Sequence, residues 1–190
     1  MAEEIEAKVK IADPDSLRRR LADRGAVGGG TVLEVNRLFD DAQGGLRRSG
    51  AAVRVREERR PQDGAPQRTI LTYKGPRRAS RFKRREELQT AVAAADALVA
   101  ILEAVGLVET FRFEKRRTAW RLGECEVVLD ELPHLGWFAE VEGPTEEAVQ
   151  RTLADLGLGG EPVIAETYMR LLADHLAARG MDRTKALFRR

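Results

Sequence analysis

Glu4-Ile5-Glu6-Ala7-Lys8-Val9-Lys10-Ile11 alternates charged and apolar residues without a break, which is the two-residue repeat of a β-strand with unlike faces. The pattern returns further along the chain. Val53-Arg54-Val55-Arg56 repeats it with cations. Arg81-Phe82-Lys83 repeats it too, and its charged parity continues to Arg85 and Glu87. Glu126, Val128 and Asp130 share one parity against Val127 and Leu129, and Glu140 and Glu142 flank Val141. One solvated sheet face is the usual meaning of such alternation. Here, however, like charges sit two residues apart on several strands, where a free surface tends to mix signs. Repeated like charge points to a bound species of opposite sign.

Turn signals divide the chain. Asp13-Pro14-Asp15 stops the first strand and caps a helix to about Ala22, and Gly28-Gly29-Gly30 reads as a loop. Strands are predicted at Thr31–Asp40, Ala52–Glu58, Thr69–Lys74 and Arg81–Gln89, then an Ala-rich helix over Ala91–Ala104. Three more strands follow at Thr110–Leu122, Cys125–Asp130 and Trp137–Glu142. One helix starts after Pro144-Thr145-Glu146-Glu147 and another spans Ala165–Ala178. About eight strands interrupted by a few helices predict an α+β fold with a large antiparallel sheet. If the sheet curls closed with helices outside, the charged faces line the interior, and an eight-stranded barrel can hold one small ligand.

The 190 residues suit one domain, and they carry 33 Lys and Arg against 31 Asp and Glu. That balance hides opposed blocks. Arg47 to Arg85 holds 14 basic and 3 acidic residues, while Glu124 to Glu147 holds 8 acidic residues and no Lys or Arg. Buried charges of both kinds need partners. A polyanion for the cations together with divalent cations for the carboxylates meets both needs, as a nucleotide or inorganic triphosphate with Mg²⁺ or Mn²⁺ would. A nucleic-acid or polyphosphate binding module, with Tyr73 and Phe82 stacking bases, is a distant alternative that leaves the acidic block without a purpose. The acidic first residues and the lack of a long apolar run disfavour a signal, a transit peptide or a membrane span, so a cytoplasmic protein is expected. The single Cys125 excludes an internal disulfide, and with only His134 and His175 no zinc cluster is expected.

The ordered motifs resemble the CYTH superfamily, the triphosphate tunnel metalloenzymes. Glu4-Ile5-Glu6-Ala7-Lys8 resembles its ExExK signature, Val53-Arg54-Val55-Arg56 its LRIR-like strand, and Thr72-Tyr73-Lys74-Gly75-Pro76 its TxKGP segment. Lys83-Arg84-Arg85-Glu86-Glu87 resembles its RxE strand, and Lys115-Arg116-Arg117 its KxR strand. Leu129-Asp130-Glu131 followed by Leu135–Glu142 resembles the LDxxxxLGxFxEIE ending, and Thr167–Leu172 the terminal SYxxLL helix.

The resemblance implies an antiparallel eight-stranded closed β-barrel, or tunnel, with a charged interior and outer helices, spanning residues 1–178 ahead of a basic tail at 179–190. It implies Glu4, Glu6, Glu140 and Glu142 as ligands of Mg²⁺ or Mn²⁺, with Glu87 and Asp130 supporting them or binding a second ion. Lys8, Arg54, Arg56, Lys74, Arg85, Lys115 and Arg117 would grip the triphosphate, with Glu4, Glu6 and Lys8 catalytic. Arg81 and Lys83 are also permitted an inward role. The implied substrate is a small-molecule triphosphate, with no nucleic-acid or membrane partner, and a homodimer is left open. The motifs look most like class IV adenylate cyclase, which converts ATP to cyclic AMP and pyrophosphate. Tripolyphosphatase or thiamine triphosphatase activity is the close alternative. The tail is expected to be a frayed extension.

Overall fold

A computed structural model describes the backbone of residues 3–76 and 83–189, and the side chains of residues 5–76 and 86–189. The elements in chain order are β1 (Glu3–Ile11), α1 (Pro14–Asp23), β2 (Val27–Asp41), α2 (Gly45–Ser49), β3 (Ala52–Arg59), β4 (Pro66–Lys74) and β5 (Lys83–Val92). Then come α3 (Ala95–Ala104), β6 (Leu107–Leu122), β7 (Cys125–Leu132), β8 (Gly136–Gly143), α4 (Glu146–Asp155), α5 (Tyr168–Ala178) and β9 (Lys185–Ala186). This is the expected α+β architecture built on an antiparallel sheet. Strand order is β2-β3-β4-β5-β1-β8-β7-β6, and β2 also pairs with β6 from Val27↔Arg121 to Asp41↔Leu107. The first strand therefore lies between β5 and β8, far from its sequence neighbours. Among the described residues no helix is long and apolar enough to cross a membrane.

Most strands bury their apolar parity under a helix. Ile5, Ala7, Val9 and Ile11 of β1 pack with Val127 and Leu129 of β7 and Ala139 and Val141 of β8, beneath Leu17 and Leu21 of α1 and Val149 and Leu153 of α4. Asp13 starts α1 by accepting the Asp15 and Ser16 N–H groups at 3.1 and 3.0 Å, with Pro14 in the first turn. Thr145 caps α4 in the same way. Phe39 and Val55 pack with Val99 and Leu102 of α3. Phe111, Phe113 and Phe138 pack with Tyr168, Leu172 and Leu176 of α5. With the apolar faces covered, the charged parity is left to the other side of the sheet.

Three expectations are corrected. Gly28-Gly29-Gly30 is part of β2 rather than a loop. Gly28 faces Trp120 across the β2–β6 ladder, and a Cβ there would fall 2.3 Å from the indole Nε1. The glycine lets the indole lie against the strand. Gly28→Ala is expected to cost about 1–3 kcal/mol of stability by overpacking, read as a lower midpoint in denaturant unfolding. The last helix begins at Tyr168, not Ala165, because the residues before it are bonded to β1: Ile164 N–H donates to the Lys8 carbonyl at 2.8 Å, and Lys8 Nζ donates to the Glu166 carbonyl at 2.9 Å. The tail is not frayed. Strand β7 pairs with β6 only over Arg116–Leu122, and β9 pairs parallel with β6 at Arg112 and Phe113. Ala186 is buried there, Phe188 N–H donates to Glu114, and Arg116 stacks on the Phe188 ring. An edge left by one strand is covered by another.

Candidate functional site

The charged parity encloses a cavity of about 360 Å³, to which strands β1 to β8 and the start of α5 all contribute. Lys8, Arg54, Arg56, Lys74, Lys115 and Arg117 line it, as do Glu6, Glu87, Glu140 and Glu142. These residues, scattered over 137 positions of sequence from Glu6 to Glu142, are brought together by register alone. Glu4 and Arg85 are backbone partners across β1 and β5. Their side chains, that of Lys83, and the whole of Arg81 and Phe82 lie outside the described residues.

The cations are held by carboxylates. Arg117 donates from Nε and Nη2 to the two oxygens of Asp130 at 2.7 and 2.6 Å, and from Nη2 to Glu140 at 2.6 Å. Lys115 Nζ lies 3.2 Å from Asp130 and 3.3 Å from Glu34. Arg56 Nε lies 3.1 Å from Glu34 and 3.2 Å from the Asn36 amide oxygen. Lys74 pairs with Glu87, and Arg54 lies 3.9 Å from the same carboxylate and 3.4 Å from the Thr72 hydroxyl. Asp130, fully buried, is therefore engaged by cations beneath the wall. The bidentate fork of Arg117 fixes its plane, which a lysine could not do.

Burial and crowding tune the proton affinities. Burial and the neighbouring Arg117 lower Lys115 to about 8, against the upward pull of Asp130 and Glu34. Burial and Arg56 lower Arg54 to about 9, and its Nε has no hydrogen-bond partner among the described residues. Burial alone would raise the pKa of Glu34, but Arg56, Lys115, Arg117 and Arg54 hold that carboxyl far below the usual range. A dense group of cations with one unpaired guanidinium nitrogen is suited to receive an anion of high charge.

The acids gather on the adjoining strands. Glu6 is the register partner of Glu142, and Glu142 is the partner of Glu126, so three carboxylates that line the cavity stand in a row across β1, β8 and β7. Like charges directly opposite repel. A cation between them would offset that cost, and their hard oxygens suit Mg²⁺ or Mn²⁺. Lys8 Nζ already stands 3.4 Å from Glu140 and 3.9 Å from Glu6, an ammonium in a place that accepts positive charge. Among the described residues no three His, Cys, Asp or Glu side chains already converge as a metal site.

Sequence reasoning missed Glu34, Asn36, Glu126 and the part played by Tyr168. Glu34 and Asn36 share a parity on β2, a two-residue repeat like the others, but one acid on a parity shared with Val32 and Leu38 carries little weight before its partners are known. Glu126 was visible on the parity of Asp130.

The CYTH domain model matches residues 2–168. A Methanocaldococcus jannaschii protein, named as a candidate adenylate cyclase, is 25% identical over 177 residues, which cover 88% of this chain and 97% of the relative. A Vibrio parahaemolyticus structure described as a candidate adenylate cyclase superposes with a TM-score of 0.79 at 20% identity, covering 90% of this chain and 98% of its own. A Hippeastrum structure, described as a candidate adenylyl cyclase with a dominant triphosphatase activity, superposes with a TM-score of 0.63 at 19% identity, covering 96% and 97%. These two structures establish a shared fold.

Proposed function

The chain belongs to the CYTH domain family, and from that membership we propose that its eight main strands form a closed tunnel that binds a triphosphate with a divalent cation and breaks one P–O bond. The supporting observation is a single cavity with cations on β3, β4 and β6 and a row of carboxylates on β1, β8 and β7. The β2–β6 pairing supports closure, since it joins the two ends of the strand order.

In this reading Arg54, Arg56, Lys74, Lys115 and Arg117, with Arg85, grip the phosphates, and Lys8 stands where the cationic and acidic walls meet. Glu6, Glu140 and Glu142, with Glu4, would hold Mg²⁺ or Mn²⁺, and Glu126 joins them by register. Asp130 and Glu87 take a different part from that implied by the resemblance. Their contacts with Arg117, Lys115 and Lys74 make them anchors that orient the gripping cations. A bound divalent ion would neutralise phosphate charge and lower the pKa of the attacking hydroxyl. The chain itself supplies position and charge, the main demands of phosphoryl chemistry.

The favoured reaction is cyclisation of ATP: the ribose 3′-hydroxyl attacks the α-phosphorus and pyrophosphate leaves. A second cavity of about 730 Å³ adjoins the first and shares Leu38, Ala52, Thr167 and Met169 with it. It gives a nucleoside room beside the triphosphate, which an inorganic chain does not need. Hydrolysis of a terminal phosphate is the second reading, favoured by the activity described for the Hippeastrum protein. A cytoplasmic location suits a chain whose cysteine is buried and free.

Incubation with ATP, tripolyphosphate and thiamine triphosphate, each with Mg²⁺ or Mn²⁺, tests both readings by ³¹P NMR and cyclic AMP detection. Cyclic AMP with pyrophosphate is expected. Orthophosphate release without cyclic AMP selects the hydrolase, and no turnover of any triphosphate rejects both.

A further inference from the structure

Tyr168 lines the cavity at the first turn of α5 and is 7% exposed, yet its hydroxyl has no hydrogen-bond partner among the described residues. A buried phenol ordinarily has one. The carboxylates that act on it most strongly, Asp130 and Glu140, are engaged elsewhere. Arg117 and Lys115 take the Asp130 oxygens, and Arg117 and Lys8 take those of Glu140. The ring, by contrast, is fully used. Lys8 Nζ lies 4.3 Å from its centroid and Lys115 Nζ 5.4 Å, and Phe138 packs edge-on at 5.4 Å. The chain entering α5 is tied to Lys8 by the Ile164 and Glu166 hydrogen bonds, so the phenol is fixed relative to that ammonium.

We propose that Tyr168 is a substrate-binding residue, whose ring face holds the Lys8 ammonium and whose hydroxyl donates to a non-bridging oxygen of the phosphate that Lys8 grips. The inference rests on the triphosphate reading of the cavity. An incoming phosphate supplies the acceptor that the resting site withholds. Burial, together with Asp130 and Glu140, raises the phenol well above its ordinary pKa, so it acts as a donor at neutral pH and not as a base. The positive end of α5, at the same wall, favours the same anion.

Tyr168→Phe keeps the ring, the Lys8 contact and the Phe138 packing while deleting one oxygen. Isothermal titration with tripolyphosphate, with and without Mg²⁺, is expected to show about a tenfold weaker affinity, equivalent to about 1.4 kcal/mol. The thermal midpoint should be unchanged or raised, because an unpaired buried hydroxyl has been removed. Tyr168→Leu, which also removes the ring, should weaken binding further. Equal affinity of Tyr168→Phe and wild type, with Arg56→Ala binding weakly, overturns the inference and leaves the reading of the cavity intact. Weaker affinity with a large fall in thermal midpoint assigns the hydroxyl to folding and also overturns it. Wild type that fails to bind tripolyphosphate overturns both.

Discussion

Glu34→Ala is expected to destabilise the protein by about 3–5 kcal/mol, measured by denaturant unfolding, because it leaves the buried Lys115 and the half-buried Arg56 and Arg117 short of a counter-charge. Glu34 is 1% exposed, lies 3.1 Å from Arg56, 3.3 Å from Lys115 and 3.8 Å from Arg117, and receives a weak amide contact from Asn36. Its folded pKa is depressed, so its stabilisation is present above the unfolded carboxyl value of about 4.3 and is lost as pH falls toward the folded one. Glu34→Gln should therefore show its full stability deficit above about pH 5. The difference from wild type should narrow as the solution is made more acidic. A deficit independent of pH would mean that the side chain acts by packing rather than by charge. The same variant reports on ligand binding. Lys115, already lowered to about 8, loses one of the carboxylates that hold it up, so affinity for tripolyphosphate should begin to fall at lower pH than in wild type.

Glu34 also shows where the sequence stops being informative. In β1 and β3 the two-residue repeat itself carries the inner face, since Glu6 and Lys8, or Arg54 and Arg56, fall on one parity with only the small Ala52 beside them. In β2 the same parity mixes Glu34 and Asn36 with Leu38. Only the pairing of β2 with both β3 and β6 reveals the role of Glu34, by setting Asn36 opposite Arg56 and Glu34 opposite Lys115. Such pairing joins segments about 20 and 80 residues apart, beyond the reach of a local pattern. The same cause accounts for the other misreadings. Three glycines read as a loop until Trp120 is seen to lie against the first of them. Ala165 to Thr167 read as helix until their hydrogen-bonding partner proves to be Lys8. The tail reads as loose until the uncovered half of β6 is found. Helix caps, which depend on neighbours within four residues, were legible at Asp13 and Thr145.

The row Glu6, Glu142, Glu126 carries the largest expected effect on activity. Three carboxylates in register on neighbouring strands repel one another, and a fold that keeps them gives up stability that neutral residues would retain. A divalent cation held between them would recover that loss and bring charge to the phosphates opposite. Glu6→Gln and Glu142→Gln are each expected to lower turnover by about 10²–10³-fold, the cost typical of removing one preorganised charge-stabilising group. Each variant is read against its own thermal midpoint in the metal-free protein, since Glu6 also faces the buried Lys8 ammonium at 3.9 Å. Titration with Mn²⁺ alone, without substrate, should show weakened binding in both. The contrast is Glu87→Gln, which acts through Lys74 and Arg54: it should weaken tripolyphosphate binding and leave Mn²⁺ affinity near wild type. The two walls of the cavity are thereby separated by measurement. A Glu6→Gln/Glu142→Gln double variant that keeps both Mn²⁺ affinity and turnover would sink the metal reading, and the carboxylate row would then be a counterweight to the cations and nothing more.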